Sequence, residues 1–189
     1  MFTKPELFFK TNTEWRSWLE KNHNLMDGAY LIFYTVKSGK RSMRWEEAVK
    51  VALCYGWIDS TVKNIDHESR RQYFCPRNPK SVWSKLNKSY IAQLIKENLM
   101  HLSGLEKIEA AKQDGSWTAL DAVENLVIPE DLQTALNENS IAFENYKSFA
   151  KTYKKGYLYW LNQAKRKETR LNRIQQIVEL CEKNLKYRQ

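Results

Sequence analysis

The spacing of apolar residues changes part-way along the chain, and that change restricts the folds open to it. In the first 115 residues, strand-like and helix-like runs alternate. Ala29 to Val36 reads AYLIFYTV, rich in the β-branched and aromatic residues that suit a pleated, half-buried surface. Thr61-Val62-Lys63-Asn64-Ile65 and Arg71-Gln72-Tyr73-Phe74 mix polar residues with β-branched or aromatic ones and read as two strands. From Pro129 onward every segment reads as helix. The pattern predicts an α+β protein: a small antiparallel sheet with packed helices, then an all-helical C-terminal part. The expected divisions are 1–115, a joint at 116–128, and 129–189.

Local signals place the elements. Trp15, Trp18 and Leu19 share one face of a short helix. Asp27-Gly28 turns into the first strand, and Lys37-Ser38-Gly39-Lys40 closes it. A helix is expected from about Arg44 to Tyr55, lined by Ala48, Val49, Ala52 and Leu53 and stopped by Gly56. Asp66-His67-Glu68-Ser69 joins two strands into an antiparallel pair. Ser84 to Leu99 reads as a helix with Leu86, Tyr90, Ile91, Leu94 and Ile95 inward, and Leu105 to Gln113 as another. Pro129-Glu130-Asp131 is a strong helix start. A helix over Ile141–Phe149 and one long final helix from Lys154 to Leu185 complete the chain.

Three cysteines, Cys54, Cys75 and Cys181, lie far apart and fit neither a disulfide framework nor a zinc pattern. No segment approaches the roughly 18 apolar residues of a membrane-crossing helix. The start, MFTKPELFFKTNTEW, shows no apolar leader region and no small-residue cleavage site. The expectation is a cytoplasmic protein without a metal or cofactor. Four prolines and six glycines argue against long disordered linkers. An exposed face among the seven tryptophans would allow a homodimer.

The net charge of +9 is unevenly placed. Residues 61–100 carry eight basic and three acidic groups, and 141–189 carry twelve and four, whereas 101–140 carry two and eight. Two basic regions flank an acidic one. Such a chain either neutralises itself internally or presents a basic face to an anionic partner.

The densest polar stretch is Cys54 to Asn87. Paired arginines grip phosphate or carboxylate at two points, and aromatic faces stack on bases or on guanidinium groups. The ligand-binding candidates are Trp57, Asp59, Arg71, Arg77, Trp83, Lys85 and Asn87. The opposing reading buries the aromatics and pairs the arginines with Asp59, Asp66 or Glu68. A second candidate is the basic run in the last helix, Lys165, Arg166, Arg170 and Arg173, which could track a nucleic-acid backbone. An ordinary solvated helix face explains it equally well.

Catalytic signals are weaker. Asp59, Asp66, His67 and Glu68 resemble a metal or acid–base cluster, but alternate strand residues point to opposite sides, so a solvated turn is the simpler reading. Ser60-Thr61-Val62-Lys63 and Ser148-Phe149-Ala150-Lys151 match S-x-x-K without the partner motifs that chemistry needs. No dinucleotide fingerprint, P-loop or H-E-x-x-H occurs. No catalytic residue emerges; an enzyme pairing Asp59 with an arginine or lysine remains a third alternative.

The runs ALCYGWIDS (Ala52–Ser60), RRQYFCPR (Arg70–Arg77), SVWSKLN (Ser81–Asn87), IAFENYKSFA (Ile141–Ala150) and YLYWLNQAKRKETR (Tyr157–Arg170) resemble the YdeI/OmpD-associated, or bacteriocin-protection, family of bacterial proteins. Two departures are visible: Tyr55-Gly56-Trp57 where Phe-Gly-Trp is frequent, and Ser60 where a glycine is frequent. The resemblance implies a role in resistance to antimicrobial peptides or in envelope stress. It carries over no reaction, catalytic residue or cofactor. Joined to the residue reading, it gives an expected resistance or stress protein that binds a small anionic ligand.

Overall fold

The computed structural model describes residues 4–187; the first three residues of the start read above, and the last two of the chain, lie outside the described residues. The chain divides into two compact units, one through Thr118 and one from Ala119.

The first unit is built on four strands: β1 (Glu6–Phe8), β2 (Ala29–Tyr34), β3 (Trp57–Asn64) and β4 (Ser69–Pro76). Their order in the sheet is β1-β2-β4-β3. β4 runs antiparallel to both neighbours, placing Arg71 opposite Ile32 on one side and Lys63 on the other. Alternation in β2 sends Ala29, Leu31 and Phe33 to the buried face. The sheet differs from the expected one at its edge. β1 pairs in parallel with β2, so the sheet is mixed. Three residues are too few to show an alternating pattern.

Four helices accompany the sheet: α1 (Asn12–Asn22), α2 (Trp45–Cys54), α3 (Lys85–Lys96) and α4 (Leu102–Gln113). Thr11 caps α1 and Glu14 reaches back to the Thr11 backbone, a reciprocal capping box. Trp15, Leu19, Leu53, Trp57 and Phe74 are nearly inaccessible and form the centre of the core. Burial leaves no indole N–H stranded here. Trp15 Nε1 donates to the Ala48 carbonyl at 3.1 Å, and Trp57 Nε1 to the His23 carbonyl at 3.2 Å. α4 approaches the end of α2 closely at Gly104, where an added Cβ would lie 2.2 Å from the Cys54 carbonyl oxygen. In α3, Ile91 and Leu94 face the core as expected, but Leu86 and Ile95 are about half exposed. They sit on the flank of the helix, beyond the reach of the core stripe.

The second unit is all helical: α5 (Asp121–Glu124), α6 (Glu130–Asn137), α7 (Ser140–Ser148), α8 (Lys151–Asn162) and α9 (Lys167–Glu182). Leu132, Leu136, Tyr146, Leu158, Leu161 and Ile177 supply much of its core. The single final helix expected from Lys154 to Leu185 is instead two, α8 and α9, broken at Gln163–Arg166. The apolar steps lapse between Ala164 and Leu171, where six polar residues, Lys165 to Arg170, intervene close to the break. A straight helix of that length would span nearly 50 Å, too long for a unit of this size to cover both ends. Folding back lets α9 pack on α6, α7 and α8.

Candidate anion site

Arg77 follows β4, and its backbone N–H donates to the Gly56 carbonyl at 2.9 Å. Asn78 to Ser81 then turns sharply, with Ser81 N–H donating to the Asn78 carbonyl and Lys80 held at φ 61. That left-handed backbone is uncommon for a residue with a side chain. Trp83 follows, 2% exposed, and Ser84 caps α3 by accepting from the Asn87 N–H at 3.2 Å.

The turn brings the Arg77 guanidinium flat onto Trp83, with Cζ 3.6 Å from the ring centroid. Trp117 meets the same indole at 5.1 Å between centroids. Arg77 is only 4% exposed. Its Nη2 donates to the Val82 carbonyl at 2.7 Å, whereas Nε and Nη1 are buried without a hydrogen-bond acceptor. Burial lowers the guanidinium pKa to about 10, an effect that the charge of Asp59 opposes. A buried cation with unanswered N–H groups is an uncommon and costly arrangement.

Arg77, Lys80 and Trp83 line one side of a small cleft of about 80 Å³; Lys107, Ala111, Asp114 and Ser116, from α4 and the turn after it, line the other. Asp114 Oδ1 accepts from the Ser116 N–H at 2.8 Å. Hydrogen bonding from Ser116, together with the Lys80 backbone N–H and charge, keeps the Asp114 carboxyl below its ordinary range. The Ser116 hydroxyl itself is buried beside Asp114 without a hydrogen bond of good geometry. Asp114 thus ties the Lys80 turn to the end of α4. Arg77 and Lys107 remain as positive groups facing the cleft.

Of the seven residues singled out in the sequence, Arg77 and Trp83 line this cleft. Trp57 is in the core. Asp59 accepts at Oδ2 from Trp45 Nε1 at 2.9 Å and from Gln72 Nε2, and its charge reaches Arg77. Arg71 pairs with Glu6 and lies over Tyr30 at 4.8 Å, towards the β1 edge. Lys85 and Asn87 occupy the first turn of α3, outside the cleft lining. Lys107, Asp114 and Ser116 were not anticipated. They come from a segment about 30 residues downstream, and only the Asp114-Gly115-Ser116 turn marked it.

The basic run of the second unit is partly engaged. Arg170 holds Asp131 through Nε and Nη2, at 2.5 and 2.9 Å. Arg173 donates to the Trp160 carbonyl at 2.6 Å and lies over the Trp160 ring. Lys165 and Arg166 are exposed at the α8–α9 break, so the four do not form a stripe on one helix. In the β3–β4 turn, Asp66 accepts from the backbone N–H groups of Glu68 and Ser69, and His67 is 91% exposed.

Residues 7–107 match the family model described as Domain of unknown function (DUF8412). The chain belongs to that family. Residues 125–184 match a second model, bacteriocin-protection, YdeI or OmpD-associated. The resemblance carried by Ile141–Ala150 and Tyr157–Arg170 therefore holds, while Ala52–Asn87 falls within the DUF8412 match. No curated protein and no solved structure matches the chain. Among the described residues, no helix is long and apolar enough to cross a membrane.

Proposed function

We propose that the protein is a cytoplasmic stress or antimicrobial-peptide resistance protein whose first unit binds a small anionic ligand in the Arg77 cleft. The observation that carries the binding reading is Arg77 itself. Its guanidinium is buried, pressed on Trp83, and keeps two N–H groups without an acceptor beside an open cleft. The charge of Arg77 would draw a phosphate or carboxylate into the cleft, and Lys107 would supply an exposed charge-assisted contact. The resistance role rests on the family description of the second unit.

The test is a thermal-shift titration of the full chain with inorganic phosphate, pyrophosphate and citrate. At about 100 times Kd a ligand stabilises the fold by roughly 2.7 kcal/mol, a shift of several degrees. The expected result is such a shift with at least one anion, reduced in Lys107→Ala and lost in Arg77→Met. No shift with any of them, or a shift unchanged in Arg77→Met, would remove the reading.

A further inference from the structure

A second cleft of about 460 Å³ adjoins the first, lined by His23, Tyr55, Trp57, Ser103 and Glu106. Lys107 lines both clefts. The ridge between them has a specific construction. Gly56, at φ 73, leaves room for the Lys107 stem: an added Cβ would lie 2.7 Å from Lys107 Cγ. The Gly56 carbonyl in turn accepts the Arg77 backbone N–H. One glycine thus fixes Arg77 on one side and the Lys107 stem on the other.

The two clefts have opposite hydrogen-bonding characters. The first offers donors, Arg77 and Lys107. The second offers acceptors. His23 Nδ1 lies 2.8 Å from the Leu19 carbonyl oxygen and therefore carries the proton. In the neutral ring Nε2 is then an acceptor, and it is buried without a partner. Ser103 Oγ directs its proton inward, to the Tyr55 carbonyl at 3.2 Å or to His101 Nδ1 at 2.9 Å, leaving its oxygen as an acceptor. Glu106 adds an exposed carboxylate on α4. Asp27, at the rim, is paired with Lys4.

We infer that the two clefts together hold one amphoteric ligand, its anionic group between Arg77 and Lys107 and an ammonium or other N–H group against Glu106 and His23. The inference rests on the anion reading above and extends it. A free amino acid and the carboxyl-terminal end of a peptide share this chemistry. The combined size of the clefts favours the peptide end, since the second alone matches the volume of a typical small-ligand site.

Calorimetric titration of the full chain separates the possibilities, with inorganic phosphate, free lysine, a basic tripeptide with a free carboxylate, and the same tripeptide amidated. Lys107→Ala and Glu106→Gln serve as variants, since both side chains are exposed on α4. The tripeptide is expected to bind about tenfold or more tightly than phosphate, and amidation to remove about tenfold. Glu106→Gln should weaken the tripeptide several-fold and leave phosphate unchanged, while Lys107→Ala weakens both. Lysine binding as tightly as the tripeptide supports the amphoteric site and names the amino acid as the source. A tripeptide no tighter than phosphate, or indifferent to Glu106→Gln, overturns this inference while phosphate binding sensitive to Lys107→Ala keeps the anion reading. Absence of binding by all four probes overturns both.

Discussion

The Arg77 guanidinium rests 3.6 Å from the Trp83 ring centroid and yet lacks acceptors for two of its nitrogens. Stacking satisfies the face of the group but not its edge. Asp59 supplies charge from nearby, while its Oδ2 is already engaged by Trp45 and Gln72. The cation is therefore held by packing more than by pairing.

Arg77→Met tests that balance. An apolar side chain of similar length removes the desolvation cost and loses the Val82 hydrogen bond and the cation–π contact. A buried cation with unanswered N–H groups carries an uncompensated desolvation cost that an apolar side chain avoids, while Asp59 keeps its hydrogen bonds from Trp45 and Gln72. The variant is expected to be at least as stable as the parent in urea unfolding. A loss above about 2 kcal/mol would show that the guanidinium is a net structural asset.

Lys80→Gly probes the strained turn. The φ of 61 costs a side-chain-bearing residue roughly 1 kcal/mol, which glycine relieves. The folded state should gain about 0.5–1 kcal/mol by chemical denaturation. If stability instead falls, the Lys80 ammonium beside Asp114 outweighs the strain.

Two glycines in helices should respond oppositely to alanine. Gly156→Ala adds a methyl group to open space in α8 and should stabilise by roughly 0.5–1 kcal/mol. Gly104→Ala drives a methyl group into the Cys54 carbonyl and should destabilise by roughly 1–3 kcal/mol. Equal thermal midpoints for the two variants would contradict the close approach of α4 to α2.

Acid should weaken the second unit through Asp131. Arg170 holds that carboxyl below its ordinary value of 3.8. The pair's contribution is thus complete above pH 3.8 and disappears as pH falls through the lower folded-state value. Both side chains are partly exposed, so the pair is worth roughly 0.2–1 kcal/mol. Asp131→Asn should melt slightly below the parent at pH 7, with the difference closing well below pH 3.8. A gap that persists into strong acid would point to a packing effect instead.

The strand β2 was legible because AYLIFYTV is rich in β-branched and aromatic residues, and β3 and β4 because a turn sequence, Asp66 to Ser69, separates two strand-like runs, although residues 61–64 are all exposed. β1 was not, since its pairing depends on β2 rather than on its own three residues. The α8–α9 break lies beside the polar run Lys165–Arg170, where the apolar steps lapse, a signal that a single long helix passes over. Arg77 and Trp83 stood out by local density, being only six residues apart in the sequence. Lys107 and Ser116 look like ordinary helix and turn residues. Only the packing of α4 against the end of α2, made possible by Gly104, brings them to the cleft.

The division after Thr118 bears on how such a chain is inherited. Each unit encloses its own apolar core, and the two family matches end at 107 and begin at 125. A recombination event at the division after Thr118 cuts neither core, because Ile108 and Ala111 lie before it and Val123 after it. Either half can then pass to a new gene while the other keeps its original neighbour, so the sheet-bearing unit and the helical unit can have separate histories.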